Sequence, residues 1–177
     1  MNSFQKEGVL QRLAQLDNDL LALYGVYRRF EITITGGSAL VLLDLLPDER
    51  FTTDIDVLET SNEIKGLLER YDMNMDVSTF MYKYPENWRK RRQPVLYGGQ
   101  VLEVYTLSNE DLAITKLLAW RRADKIDLAN MLAAGNIDVD KLKDIIDDVT
   151  ELRVNLDDEE WLAFQGNVNK LLYGELL

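Results

Sequence analysis

The stretch from Ile32 to Leu58, ITITGGSALVLLDLLPDERFTTDIDVL, constrains the fold more than any other part of the sequence. It predicts a strand, a glycine turn, a helix and a second strand, because β-branched residues favour strands and a Gly-Gly pair interrupts them. Ser38 is placed to cap the helix, which we expect over Ala39 to Leu46, before Pro47. The chain is therefore expected to form a sheet with helices packed against it.

Two acidic residues in the second predicted strand indicate a metal site. Alternate side chains of a strand share a face, so Asp54 and Asp56 should project together while Ile55 and Val57 enter the core. Adjacent carboxylates repel each other unless a cation or protons intervene. Mg²⁺ takes oxygen ligands and keeps positions open for phosphate oxygens, so we expect Mg²⁺ or Mn²⁺ as the cofactor. The alternative is a helix start followed by a solvated acidic strand end.

The order of these two motifs resembles a known signature. A Gly-Gly-Ser turn followed by a D-x-D strand is similar to the nucleotidyltransferase signature of the DNA polymerase β superfamily. The resemblance implies that Gly36, Gly37 and Ser38 bind a nucleoside triphosphate and that Asp54 and Asp56 bind the metal. It also implies catalysis of nucleotidyl transfer by these two carboxylates.

A third carboxylate often completes the metal site in that superfamily, on the strand after the next helix. A strand is predicted over Met75 to Phe80, and Asp76 lies between apolar residues in it. Asp76 is therefore the expected third metal ligand, because a neighbouring strand can complete the oxygen shell of the ion. A turn aspartate is the alternative role for Asp76. Glu103, in a predicted hairpin of Val95 to Tyr97 with Val101 to Thr106, is the reserve candidate.

A later segment carries a second resemblance. A helix is predicted from Ser108 to Trp120, and if it continues, Lys116 and Asp127 lie about three turns apart on one face. The segment EDLAITKLLAWRRADKIDLANML resembles the C-terminal part of the abortive-infection, type IV toxin nucleotidyltransferases (AbiEii-like). That resemblance implies that Lys116 is the active-site lysine, which contacts a phosphate. It makes Asp127, with Asp124 as the alternative, the late aspartate that positions the lysine or the acceptor.

Composition limits the kinds of site and partner. The chain has 177 residues, no histidine, no cysteine and a net charge of −11. Thiolate and imidazole metal sites are excluded, and any metal site must use oxygen ligands. Such an acidic chain is not expected to bind nucleic acid over a wide surface, although the basic run Arg89–Arg92 could meet phosphates or could be a solvated charge run. No signal peptide or membrane-spanning run is recognisable, so we expect a cytoplasmic protein with no membrane partner.

These features predict an α+β fold, with a nucleotidyltransferase-type mixed β-sheet flanked by helices and a C-terminal helical bundle. We expect a nucleotidyltransferase core with an N-terminal helix over residues 1–107 and a helical part packed on it over 108–177. The expected reaction transfers a nucleoside monophosphate from a nucleoside triphosphate to an RNA, such as a tRNA, or to a protein. The resemblance also suggests a toxin with a cognate antitoxin. The alternative is a catalytically inactive binding or regulatory module with the same fold. Further helices are predicted over Ser3–Tyr24 and Glu63–Tyr71, and from Asp138 and Asp157.

Overall fold

The computed structural model describes residues 5–47, 51–52, 54–147 and 150–176. The chain forms two compact units. The first unit comprises residues 1–79 and 92–107, and the second comprises 80–91 and 108–177. No helix among the described residues is both long and apolar enough to cross a lipid bilayer. The prediction of an α+β fold, with a mixed sheet and a helical C-terminal part, is confirmed.

A five-stranded sheet is the centre of the first unit. Its strands are β1 (Phe30–Ile34), β2 (Ile55–Thr60), β3 (Met73–Asn74), β4 (Gln93–Val95) and β5 (Leu102–Thr106). They lie in the order β3-β2-β1-β5-β4. Strand β1 runs antiparallel to β2 and parallel to β5, and β2 runs parallel to β3. The predicted hairpin is confirmed as the antiparallel pair β4 and β5, although its first strand covers Gln93–Val95 and not Val95–Tyr97.

Buried side chains of this sheet pack against helices α1 (Lys6–Tyr24) and α2 (Gly36–Leu42). In β1 the side chains of Ile32 and Ile34 are fully buried, whereas Glu31 is exposed. Helix α1 buries one stripe at helical spacing, which consists of Val9, Leu13, Leu16 and Leu20. Burying a large aliphatic side chain contributes about 1.5–3 kcal/mol, so this stripe is the main attachment of α1. The predicted start of this helix at Ser3 lies outside the described residues.

One buried carboxylate of α1 fixes the turn that leads into β5. Asp17 is 4% exposed and accepts the backbone N–H groups of Gln100, Val101 and Leu102 at 2.8–3.0 Å. These hydrogen bonds replace the water that the buried carboxylate has lost. Burying a carboxylate without such partners would be strongly unfavourable. Asp17 also raises the pKa of Tyr97, although burial of the phenol is the larger cause. The result is a fixed register for β5 beside β1.

The segment after β2 corrects one prediction. The helix expected near Glu63–Tyr71 is a 3₁₀ helix over Asn62–Tyr71. The strand expected over Met75 to Phe80 is wrong, because only Met73–Asn74 pairs with β2 and a 3₁₀ helix covers Asp76–Lys83. The side chain of Asn74 accepts the backbone N–H of Asp76 at 3.1 Å, and such an Asx turn bends the chain away from the sheet.

Helices make up the second unit. They are α3 (Trp88–Arg91), α4 (Asn109–Ala119), α5 (Arg122–Ala133), α6 (Val139–Asp147), α7 (Thr150–Asn155) and α8 (Asp158–Leu172). The predicted helix starts at Ser108 and Asp157 are confirmed, since each side chain accepts a backbone N–H three residues later. The helix predicted from Ser108 to Trp120 is confirmed as α4. It does not continue, because Trp120 has a positive φ of 50° and the chain restarts as α5.

Candidate functional site

The D-x-D segment enters strand β2 with the side-chain alternation that the sequence predicts. Ile55 and Val57 are fully buried. Asp54, directly before the strand, is exposed, and Asp56 is half-buried. Both carboxylates can therefore be reached from solvent, while the intervening apolar residues anchor the strand in the core.

The glycine turn lies against this strand. The backbone N–H of Thr35 donates to the carbonyl of Asp56 at 2.9 Å. Gly36 has a positive φ of 64°, and a Cβ atom at this position would collide with Oδ2 of Asp56. Only glycine combines this backbone conformation with so close an approach to a carboxylate. Gly36 and Gly37 are partly exposed, so the turn and the Asp56 carboxylate form one surface.

Ser38 does not cap helix α2, because the helix begins two residues earlier at Gly36. Its side chain is fully buried, donates to the carbonyl of Thr35 at 2.9 Å and accepts the backbone N–H of Asp56 at 3.3 Å. The hydroxyl thus connects the turn to the D-x-D strand from inside the fold. A direct contact of Ser38 with a nucleotide stays a prediction.

Asn74 brings the two carboxylates together. Its position on β3 pairs with Asp56 in the strand register. Its side-chain Nδ2 lies 3.1 Å from Oδ2 of Asp54 and 3.4 Å from Oδ1 of Asp56. Sequence reasoning missed Asn74 because it looked for an acidic residue between apolar neighbours. The run Met73-Asn74-Met75 has the same polar-between-apolar pattern, and it is the signal that would have identified this position.

The two candidates for a third carboxylate lie in the first unit, one two residues after Asn74 and the other on β5. Asp76 is exposed and begins the 3₁₀ helix Asp76–Lys83. Glu103 lies on β5, two strands away from β2, with its side chain accepting from the hydroxyl of Tyr105 at 3.2 Å. Within residues 5–47, 51–52, 54–147 and 150–176, no three acidic, histidine or cysteine side chains form a group that could hold a metal. A metal-binding role for Asp76 stays a prediction.

The donor set around β2 nevertheless fits a hard cation. Asp54 and Asp56 offer carboxylate oxygens, and both lie within hydrogen-bonding distance of a single amide nitrogen. Mg²⁺ in proteins is commonly held by one or two carboxylates, with water and substrate phosphates filling its other positions. Asp54 and Asp56 would hold such an ion beside the glycine turn.

The second unit contains a separate ionic cluster around Lys116. The lysine is 6% exposed, and its Nζ lies 2.7 Å from Asp127 Oδ2 and 3.3 Å from Asp124 Oδ1. Asp124 and Asp127 are each 2% exposed. A continuous helix would place Lys116 and Asp127 about three turns apart, whereas the break at Trp120 brings the lysine into contact with both acids. A contact of Lys116 with a phosphate stays a prediction.

Asp124 is held by further contacts at the start of α5. Its Oδ2 accepts the backbone N–H of Arg121 at 3.0 Å and the Arg121 side-chain Nε at 2.8 Å. Burial by itself would raise the pKa of Asp124, but the hydrogen bonds from Arg121 and the charge of Lys116 outweigh it, so the pKa lies below its usual value. Asp124 is therefore charged at neutral pH.

Two arginines of the basic run Arg89–Arg92 form ion pairs within their own units. Arg91 makes a two-pronged bond to the buried carboxylate of Asp111, with distances of 2.9 and 2.6 Å. Arg92 pairs with Glu31 at 2.8 Å and lies over the ring of Tyr105. Such pairing is typical of structural arginines, so the run is not a uniform phosphate-binding surface.

Comparison with known proteins gives one match. Residues 11–171 match the model of a family described as "Nucleotidyltransferase of unknown function (DUF6036)". No curated protein and no solved structure matches the chain. The matched range includes the glycine turn, the D-x-D segment, Asn74 and the Lys116 cluster.

Proposed function

The chain belongs to the DUF6036 family of nucleotidyltransferases, and from this premise we propose that it transfers a nucleoside monophosphate from a nucleoside triphosphate to an RNA or protein acceptor, with Mg²⁺ as cofactor. One observation carries the proposal. The carboxylates of Asp54 and Asp56 lie within 3.4 Å of the same amide nitrogen, beside the turn at Gly36. Paired carboxylates next to a glycine turn are suited to a metal-bound triphosphate.

The reaction that this arrangement supports is a displacement at phosphorus. A hydroxyl of the acceptor forms a bond to the α-phosphorus, the bond from that phosphorus to pyrophosphate breaks, and the hydroxyl proton passes to water. Asp54 and Asp56 would hold Mg²⁺, which would supply stabilisation of negative charge on the phosphate oxygens. Gly36 leaves space for the Asp56 carboxylate, and the backbone at Gly36 and Gly37 would meet the triphosphate.

The choice of acceptor rests on the resemblance to abortive-infection toxins. In this proposal an RNA, such as a tRNA, receives the nucleotide, and a protein hydroxyl is the second acceptor to be tested. In this proposal the chain is the toxin of a toxin–antitoxin pair, and nucleotide transfer is its toxic activity.

The test replaces Asp56 with Asn and measures transfer of each labelled triphosphate to total cellular RNA and, separately, to total protein. We expect Asp56→Asn to lower transfer at least about 1,000-fold, because a metal supplies several kcal/mol at the transition state and 1.36 kcal/mol is tenfold in rate. Asp144→Asn, at an exposed position of α6, is the matched control and should transfer normally. Full transfer by the Asp56 variant would reject the metal-binding role.

A second candidate is a binding module that has the same fold and no transferase activity. It is favoured by the presence of Asn74, and not an acid, opposite Asp56 in the strand register. Calorimetry with each triphosphate, with and without Mg²⁺, separates the two functions. Binding that requires Mg²⁺ supports the enzyme, and a lack of binding together with a lack of labelled product supports the module.

A further inference from the structure

A tryptophan in an unfavourable backbone conformation joins helices α4 and α5 of the second unit. Trp120 has a positive φ of 50°, which is rare for a residue with a bulky side chain. Glycine is the usual residue where a helix ends in this conformation, because it has no Cβ atom to clash. The end of α4 therefore does not require a tryptophan, and the half-buried indole ring should have a further role.

Two lysines lie over this indole ring. The Nζ atom of Lys125, on α5, is 5.1 Å from the ring centroid, and the Nζ atom of Lys170, on α8, is 5.7 Å from it. Ammonium groups are attracted to the electron-rich face of an indole. In the ranges that the structure describes, no carboxylate forms an ion pair with either lysine. The ring thus holds two positive charges together without neutralising them.

Further charge and a second aromatic ring lie next to these lysines. Arg122 is exposed and precedes Lys125 by three residues on α5, so the two side chains are neighbours on the helix surface. Tyr173 is 78% exposed and follows Lys170 by three residues at the end of α8. Rings and cations therefore alternate along one surface. The Trp120 surface, as we call it, consists of Tyr173, Lys170, Trp120, Lys125 and Arg122.

The segments that build the Trp120 surface contain few acids, although the chain has a net charge of −11. Residues 112–123 and 161–174 contain no Asp or Glu. The next acid along α5 is Asp124, which is 2% exposed and already bound by Arg121 and Lys116. A cluster of one sign of charge raises the local concentration of ligands of the opposite sign. An anionic ligand is therefore favoured at this surface of an otherwise acidic chain.

Aromatic rings that alternate with cations match the chemistry of a single-stranded nucleic acid. Its unpaired bases can stack on the rings, and its phosphates can meet the cations between them. An anionic membrane would supply the charge but no flat rings. We propose that the Trp120 surface binds a single-stranded nucleic acid, with bases stacked on its two rings and phosphates bound by its three cations. The inference goes beyond the proposed function, because this binding does not require nucleotide transfer.

The test measures binding of a fluorescent single strand of roughly 12 nucleotides by anisotropy, a length within the site sizes of single-strand binding proteins. EDTA is present and triphosphate is absent, so the proposed catalytic site does not contribute. RNA and DNA strands of the same sequence are compared, and the tighter ligand identifies the source of the single strand. Binding of either strand that depends on the Trp120 surface supports the inference.

The two rings are tested first. Trp120→Ala and Tyr173→Ala should each weaken binding about 5–100-fold, the loss expected when one base no longer stacks on an aromatic ring. Tyr27→Ala, at an exposed tyrosine of the first unit, is the matched control and should bind like the wild type.

The lysines are tested through the dependence of binding on salt. Lys125→Gln combined with Lys170→Gln removes two phosphate contacts, so the slope of log affinity against log salt should become shallower by about 1.4. Lys65→Gln combined with Lys143→Gln changes the net charge equally at two exposed positions and is the control. The control should leave the slope unchanged.

A further pair of variants separates binding from folding at Trp120. Glycine accepts a positive φ more readily than alanine, so Trp120→Gly should melt at a higher temperature than Trp120→Ala. Both variants lack the ring and should bind the strand equally weakly, whereas Trp120→Phe keeps a flat ring and should bind more tightly than either. Affinity that follows the melting temperature and not the ring would show a merely structural role and overturn the inference.

The remaining outcomes separate this inference from the proposed function. Equal binding by the wild type and by the ring and lysine variants overturns the inference, even if nucleotide transfer is observed. Equal affinity for an oligonucleotide without bases, or tighter binding to phosphatidylserine vesicles, also overturns it, because stacked bases would then contribute nothing. Binding that weakens in the ring and lysine variants supports the inference even if no acceptor is ever labelled. In that case the proposed transferase activity fails by itself.

Discussion

The molecule contains two groups of close carboxylates with opposite surroundings. Asp54 and Asp56 lie at the surface of the first unit and share the amide of Asn74. Asp124 and Asp127 lie inside the second unit and share the ammonium group of Lys116. Asp54 is exposed and Asp56 is half-buried, whereas both acids of the second pair are buried around the ammonium group of Lys116.

The difference indicates different effects of mutation. Removing a partner from a buried ion cluster leaves a charge that water cannot reach, so the substitution should lower the free energy of unfolding. Changing an exposed carboxylate costs little in folding energy, so its effect should fall on the binding of metal and nucleotide. The comparison therefore predicts stability defects in the second group and activity defects in the first.

The largest expected effect on stability comes from Lys116→Met. The change leaves Asp124 and Asp127 buried without the lysine, and breaking such a buried pair costs about 3–5 kcal/mol. Urea unfolding should register this loss, and Lys143→Met, at an exposed position of α6, should cost less than about 0.5 kcal/mol. If Lys116→Met unfolds like the wild type and loses only nucleotide transfer, the lysine serves the reaction and the contrast between the two groups is broken.

The next effect is expected from Gly36→Ala. A methyl group there would collide with Asp56 Oδ2, and the positive φ of Gly36 is unfavourable for alanine. We expect transfer to fall about 100-fold, because a displacement of about 1 Å in an active site can cost that much. Gly66→Ala is the control, since a Cβ at Gly66 meets no atom within 4 Å and its φ is not positive. Equal transfer by both variants would show that the turn does not position Asp56.

The smallest effect concerns pH. The pKa of Asp124 is lower in the folded chain than in the unfolded chain, where it is about 3.9. The charged carboxylate therefore stabilises the fold above a pH of about 3.9. This stabilisation is lost as the pH falls through the pKa of the folded chain. Asp124→Asn should therefore lower the melting temperature more at pH 7 than at pH 3. Asp144→Asn, at an exposed position, should change the melting temperature by the same small amount at both pH values. A deficit for Asp124→Asn that is the same at both pH values would contradict the assigned pKa shift.

Local patterns were sufficient where a short segment decides its own structure. The alternation around Ile55 and Val57 predicted which side of β2 is buried, and the caps at Ser108 and Asp157 predicted two helix starts. Local patterns failed for Met75 to Phe80, where the β-forming residues suggested a strand. There a single side-chain bond, from the backbone of Asp76 to Asn74, turns the chain away from the sheet.

The sequence by itself determined the α+β class and the D-x-D strand after a glycine turn, because both depend on residue types at short spacing. The contact of Lys116 with Asp124 and Asp127 did not follow from spacing, because it depends on the break at Trp120. Only the tertiary structure placed Asn74 beside Asp54 and Asp56, since that contact depends on the register of β2 and β3. Only the tertiary structure, likewise, placed the Asp54 and Asp56 pair at the surface and buried the Asp124 and Asp127 pair around Lys116. Burial depends on the packing of segments that are distant in the chain.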